Sequence, residues 1–155
     1  MDLDTIIDSI NKKLKAANID SLKLEELNLT ETERSFNEEY KPGNVLIIYG
    51  TLAPGRTNYH VIEHIKGNWL QGIIRGKLVK EGWGANLGYY AFKHVGTAEQ
   101  EAIKAFILTS DELISNWKFL DEFEGSGYRR ILAKYELDSG EMGAGFIYAV
   151  NEEET

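Results

Sequence analysis

The chain has no cysteine in 155 residues. Disulfides, thiolate nucleophiles and cysteine zinc sites are therefore excluded. Positive charge is scarce: 17 Lys and Arg stand against 25 Asp and Glu, giving a formal charge of −8. That balance, with no compensating basic stripe along the chain, argues against a nucleic-acid partner. Long apolar runs are missing too, and none approaches the ~20 residues that a membrane helix needs. Asp2 and Asp4 stand where a secretory signal would carry positive charge. The expectation is a soluble, cytoplasmic protein with no membrane role. Its length suits one domain with a substantial core.

What is present centres on residues 45–55, VLIIYGTLAPG. Val45 to Ile48 form an apolar run that reads as a strand buried on both faces. The strand delivers Tyr49, Gly50, Thr51 and Leu52 into a tight loop that Pro54-Gly55 closes. Gly50 has no side chain to keep a ligand off the backbone. Successive N–H groups in such a turn can form a concavity for an anion or a developing oxyanion. An ordinary strand end with a Pro-Gly turn accounts for the same letters.

Upstream, Leu3, Ile6, Ile7, Ile10 and Leu14 recur at helical spacing, with Asn11, Lys12 and Lys15 opposite and Asn18 as a stop. Thr30 and Glu33 form a capping box for a second helix to Tyr40. Lys41-Pro42-Gly43 then breaks the pattern, so residues 1–43 read as a helical extension and 44–155 as the main domain. Downstream, residues 58–66 suggest a short helix. Residues 69–80 suggest a long strand bent at Gly72 and Gly76. Residues 82–88 form a glycine-flanked aromatic loop, and strands are expected over 89–95, 102–108, 130–137 and 144–150. A helix from a Thr109/Glu112 capping box runs over 110–124 and stops at Gly125. Strands outnumber helices and many are hairpin-linked, which gives an α+β class.

One residue on that helix breaks the apolar pattern. With about 100° per residue and Leu113 at zero, Trp117 falls at about 40°, Leu120 at about −20° and Glu124 at about 20°. Glu122 lies on the opposite face. The pattern asks for a hydrophobe at 124 and the sequence supplies an acid. Desolvation raises a carboxyl pKa towards neutrality, which is how a general acid/base is commonly made. Two other readings stand beside it: the helix ends early and Glu124 reaches solvent, or Glu124 pairs with Arg129 or Arg130. Asp121, at about 80°, would at most rim a site.

A second pattern competes. His60-Val61-Ile62-Glu63-His64 matches H-x-x-E-H, found in one class of zinc peptidases. The helix is short, no third ligand stands at a family spacing, and solvent-facing residues explain the match more simply. No metal site is expected. The loop lacks the Lys-Ser/Thr of a P-loop, and GWGANLG is not a dinucleotide fingerprint.

VLIIYGTLAPG, followed later by FLDEFEGSGYRR and two closing strands, resembles the γ-glutamylcyclotransferase-like family, which includes the AIG2-like proteins and the γ-glutamylamine cyclotransferases. The resemblance spans residues 44–150. It implies a mixed β-barrel with packed helices, to which 1–43 is an N-terminal helical extension. It implies that Glu124 is the catalytic glutamate, that Tyr49, Gly50, Thr51 and Leu52 form the substrate-binding loop, and that Tyr128 lines the pocket. Arg130 matches the arginine that follows, although the neighbouring Arg129 leaves that register open. Residues 87–90, LGYY, stand where many relatives have Gly-Tyr-Pro. The implied reaction is intramolecular aminolysis of a small γ-glutamyl compound, giving 5-oxoproline and an amine, with no cofactor. A non-catalytic module holding a small anionic ligand or peptide in the same cleft is the alternative.

Overall fold

The computed structural model describes residues 2–17, 24–80 and 91–151. The elements are α1 (Leu3–Ala17), α2 (Glu31–Tyr40), β1 (Val45–Ile48), β2 (Asn68–Val79), β3 (Ala91–Lys93), β4 (Glu101–Thr109), α3 (Trp117–Glu124), β5 (Tyr128–Leu137) and β6 (Met142–Val150). The loop expected at 82–88, the start of the strand expected from 89, the stop at Asn18 and the acidic residues 152–155 lie outside the described residues.

The strands close on themselves. Going round, β1 pairs with β4, β4 with β2, β2 with β5, β5 with β6, and β6 with β1. All these pairings are antiparallel except the parallel contact of β1 with β6, where Leu46 faces Phe146 and Ile47 faces Ile147. β3 bridges the far ends of β2 and β6. This is the mixed α+β barrel with packed helices that the motifs imply.

Barrel closure explains why β1 is apolar throughout. Val45 and Ile47 point into the barrel with Ile74, Phe92, Ile107 and Ile147. Leu46 and Ile48 point outward, where α1 and α3 cover them with Ile10, Leu14, Trp117 and Leu120. A strand between two apolar layers needs no polar face. The glycines expected to bend β2 mark close approaches: a Cβ on Gly72 would run into the Glu136 carbonyl, and one on Gly76 into the Phe92 ring.

The N-terminal helices share the barrel's outer core. Ile6, Ile7, Ile10 and Leu14 are all buried, as their spacing predicts. Asn11 departs from its expected place on the polar face. Its Nδ2 donates to the Leu132 carbonyl at 2.9 Å and its Oδ1 accepts from the Leu132 N–H at 2.8 Å. The side-chain amide thus stands in for a neighbouring strand along β5. The Thr30/Glu33 capping box is present, and Glu33 does more than cap. Its buried carboxylate accepts from Ser9 Oγ at 2.5 Å and from Lys13 Nζ of α1. Burial opposes its charge, but hydrogen bonds from Lys13, Ser9 and the Thr30 N–H win, bringing its pKa down to about 2.

Two local expectations are corrected. The helix read over 110–124 is broken: Ser110, not Thr109, caps a 3₁₀ turn at Asp111–Leu113, and α3 proper starts at Trp117. Ser110 Oγ also donates to the Lys66 carbonyl, which ties this corner down. A 3₁₀ turn followed by a helix keeps apolar residues at three- and four-residue spacing, so the wheel cannot tell the two apart. Residues 58–66 form only a 3₁₀ turn, Tyr59–Val61, and further turns, so the H-x-x-E-H residues do not sit on one helix face.

Candidate active site

The site forms where β1, α3 and the start of β5 converge. Tyr49 is the first residue past β1. Its hydroxyl donates to the Tyr148 carbonyl at 2.7 Å and accepts from the Phe92 N–H at 2.8 Å. The ring is thereby fixed between β6 and β3. Burial raises the hydroxyl's pKa above its ordinary value, the Phe92 N–H opposes this, and the nearby Glu124 and Tyr128 push it further up. Tyr49 therefore stays protonated, as a donor, with Glu124 and Tyr128 as its electrostatic neighbours.

The loop that follows is held from behind. Ala53 N–H donates to the Gly50 carbonyl at 3.2 Å, and Asn58 donates from its backbone to the Thr51 carbonyl at 2.8 Å. Asn58 Nδ2 reaches Thr51 Oγ1 at 2.9 Å. The Leu52 side chain is buried in the outer core and acts as an anchor. The Gly50, Thr51 and Leu52 amides donate to no acceptor among the described residues. A Cβ on Gly50 would meet nothing within 4 Å among the described residues. The turn thus holds backbone donors with no acceptor among the described residues, as an anion-binding turn requires.

Glu124 is the last residue of α3. Gly125, with φ 80°, ends the helix there and donates its N–H to the Asp121 carbonyl at 3.0 Å. A left-handed residue at this point favours glycine. Trp117 and Leu120 are buried and Glu122 is exposed, as the wheel predicts, while Glu124 is partly buried. Burial first, and the negative charge of Asp121 second, push its pKa from 4.5 up to about 7.

Arg130 takes Asp121 as its partner and not the Glu124 considered for it. Arg130 donates from Nε to Asp121 Oδ1 at 2.9 Å and from its terminal nitrogen to Oδ2 at 3.3 Å. Its guanidinium also lies 4.6 Å from the Trp117 ring centroid and 4.5 Å from that of Phe146. Tyr148 completes the group, its hydroxyl donating to Asp121 Oδ1 at 2.6 Å. Asp121, expected only to rim a site, is thus the hub of a network behind Glu124. Asn58 and Tyr148 carry no local signal: each acts through a fold contact, and a hydroxyl or amide in a mixed stretch has no pattern to violate.

The residues of H-x-x-E-H are placed elsewhere. His64 Nε2 lies 3.3 Å from Asn116 Oδ1, and its ring packs edge-on against Phe119. Among the described residues, no three His, Cys, Asp or Glu side chains cluster as metal ligands. No helix of the described residues is long and apolar enough to cross a membrane.

A small mixed barrel with a partly buried glutamate close enough to act electrostatically on the tyrosine that opens a glycine turn is the class of protein that fold and site define. Residues 46–155 match the family model described as gamma-glutamyl cyclotransferase, AIG2-like, and the chain belongs to that family. Among solved structures it is similar to YkqA from Bacillus subtilis, at 26% identity and a TM-score of 0.52, over 70% of this chain and 36% of that one. It is also similar in fold to an AIG2-like protein from Mus musculus, at 24% identity and a TM-score of 0.53, over 69% of this chain and 76% of that one. The chain thus spans about a third of the Bacillus protein's length. No curated protein matches it.

Proposed function

We propose that the protein is a cyclotransferase that converts a γ-glutamyl amine or γ-glutamyl amino acid to 5-oxoproline and the free amine. The observation that carries this reading is Glu124, raised to about 7 by burial and Asp121, next to the fixed Tyr49 and the loop it opens. In this reading the substrate's glutamyl group lies between Glu124 and the amides of Gly50, Thr51 and Leu52. Ionised Glu124 takes a proton from the substrate's α-ammonium. The α-nitrogen attacks the γ-carbonyl carbon, and the new C–N bond closes a five-membered ring. The loop amides hold the α-carboxylate or the oxyanion that forms. The old amide C–N bond then breaks as Glu124 returns its proton to the leaving nitrogen, and the surplus proton of the ring nitrogen passes to the freed amine, which departs as an ammonium.

Nucleophile and electrophile share one molecule, so holding the substrate curled is itself a large part of the catalysis. Tyr128 lines the pocket. Arg130 serves it through Asp121, fixing the charge that sits behind Glu124. The test is 5-oxoproline release from a panel of γ-glutamyl amines and amino acids. Wild type releases it, and folded Glu124→Gln does not. Binding without turnover by the wild type would favour a non-catalytic ligand module on the same cleft, and equal turnover by the variant would remove Glu124 from its role.

A further inference from the structure

Tyr148 lies near the end of β6 and reaches two different parts of the site. Its main-chain carbonyl accepts the Tyr49 hydroxyl at 2.7 Å. Its own hydroxyl donates to Asp121 Oδ1 at 2.6 Å. The first contact extends the junction of β1 with β6. Those strands pair in parallel at Leu46 with Phe146 and Ile47 with Ile147, and Tyr49 carries the tie on to the next residue of β6. The second contact runs from the sheet to α3. One residue thus holds both the tyrosine that opens the glycine turn and the acid that precedes Glu124 on α3.

Sheet register places the side chain for this. Tyr148 stands opposite Arg130 in the β5–β6 pairing, so both side chains leave the same face. Asp121 meets them there. Arg130 engages both carboxylate oxygens, and Tyr148 adds a hydrogen bond to Oδ1. The Tyr148 ring is buried in the outer core with Phe146, Trp117 and Leu120. Burial first, and the charge of Asp121 second, hold its hydroxyl well above the ordinary tyrosine range, so it remains a donor through neutrality. Among the described residues, the charged and titratable groups around Asp121 and Glu124 are Arg130 and Tyr128 of β5, Tyr148 of β6 and Tyr49 of β1. Asp121 acts on Glu124 as a like charge. A hydroxyl hydrogen aimed at Oδ1 offsets part of that charge.

We propose that Tyr148 is a positioning residue for the site: its hydroxyl holds Asp121 against Arg130 and moderates the repulsion that Glu124 receives, while its carbonyl keeps Tyr49 and the turn in one frame with that pair. Its effect on turnover rests on the cyclotransferase reading. Its effect on Glu124 does not, because the contacts that transmit it are hydrogen bonds within the fold. The sequence conceals this role, since Phe146, Tyr148 and Val150 alternate as one apolar strand face.

The test is Tyr148→Phe in the full chain, which removes one oxygen and keeps the ring and the carbonyl. Without the donor, Asp121 repels an ionised Glu124 more strongly. The carboxyl-carbon NMR midpoint of Glu124 therefore rises by roughly half a pH unit. The acid limb of kcat/KM for 5-oxoproline release moves up with it, and kcat at neutral pH falls by roughly three- to tenfold. The direction is opposite to that of Asp121→Asn, which removes the repulsion itself. In the Asp121→Asn background, Tyr148→Phe has no charge left to moderate, and the Glu124 midpoint stays where asparagine alone puts it. Tyr148→Met, a second variant without the donor, repeats the upward shift, and urea unfolding checks that each variant is folded. A residue serving only the core would lower the unfolding midpoint and leave the Glu124 titration alone. A Glu124 midpoint that stays put or falls in folded Tyr148→Phe would thus overturn the inference, whatever the turnover. Absence of 5-oxoproline release by wild type would instead overturn the cyclotransferase reading, and the shifted titration would still uphold the coupling of Tyr148 to Glu124.

Discussion

Arg130 Nε donates to Asp121 Oδ1 at 2.9 Å, one helical turn before Glu124. The pairing gives the two acids of α3 different environments. Asp121 holds the arginine and the Tyr148 hydroxyl. Glu124 sits in a partly buried position and feels Asp121 as a like charge, which adds to the effect of its burial. Two carboxyls set apart by their surroundings are a common route to assigning one of them to proton transfer.

The first prediction concerns Glu124→Gln. Turnover falls by roughly 10²–10⁴, the range expected for loss of a general acid/base. The folded protein becomes more stable above neutrality. The sign follows from the raised pKa: folded Glu124 keeps its proton between pH 4.5 and about 7 while the unfolded group has lost it, so stability declines as pH rises through that window. Glutamine removes the penalty, for a gain on the order of 1–2 kcal/mol after allowing for residual solvent contact. Urea unfolding at pH 8 measures it.

Asp121→Asn takes away a charge that raises Glu124. The acid limb of the pH–rate profile moves to lower pH, because ionisation of Glu124 becomes easier. The substitution also strips Arg130 of its carboxylate, so stability drops by roughly 2–4 kcal/mol. The kinetic shift and the unfolding midpoint are read separately, and only the first bears on catalysis.

Gly50→Ala separates space from strain. Nothing among the described residues lies within 4 Å of the added methyl, so folding stability stays within about 1 kcal/mol of wild type. The methyl enters the space beside the loop amides, and kcat/KM falls by roughly tenfold or more. Unchanged kinetics in this variant would mean that the loop does not meet the substrate.

Glu33 controls acid stability instead of chemistry. Its folded pKa, about 2 against an ordinary 4.5, contributes stability that is complete above 4.5 and is lost as pH falls through about 2. Glu33→Gln removes the contacts with Lys13 and Ser9 and flattens the pH dependence in that window. The expected loss at neutral pH is roughly 1–3 kcal/mol, read by urea unfolding from pH 2 to 7.

Features governed by local periodicity could be read before folding. The apolar face of α1, the all-apolar β1, the Thr30/Glu33 box and the misplaced acid at 124 all follow from residues within one or two turns of each other. Features created by distant contacts could not. Barrel closure rests on pairing Leu46 with Phe146, and no local pattern encodes it. Asn11 looks like a polar helix residue until β5 presents an open edge. Arg130 offers two acids one turn apart, and the choice of Asp121 depends on where Trp117 and Phe146 stack the guanidinium.

If Glu124 is the proton carrier proposed above, its ionisation near neutrality governs turnover. The direct measurement is carboxyl-carbon NMR titration of Glu124, assigned with the Gln variant, beside the pH dependence of kcat/KM for 5-oxoproline release. Both midpoints are expected together at about 7, with activity rising as Glu124 ionises. A Glu124 midpoint at the ordinary 4.5, with activity switching on elsewhere, would contradict it.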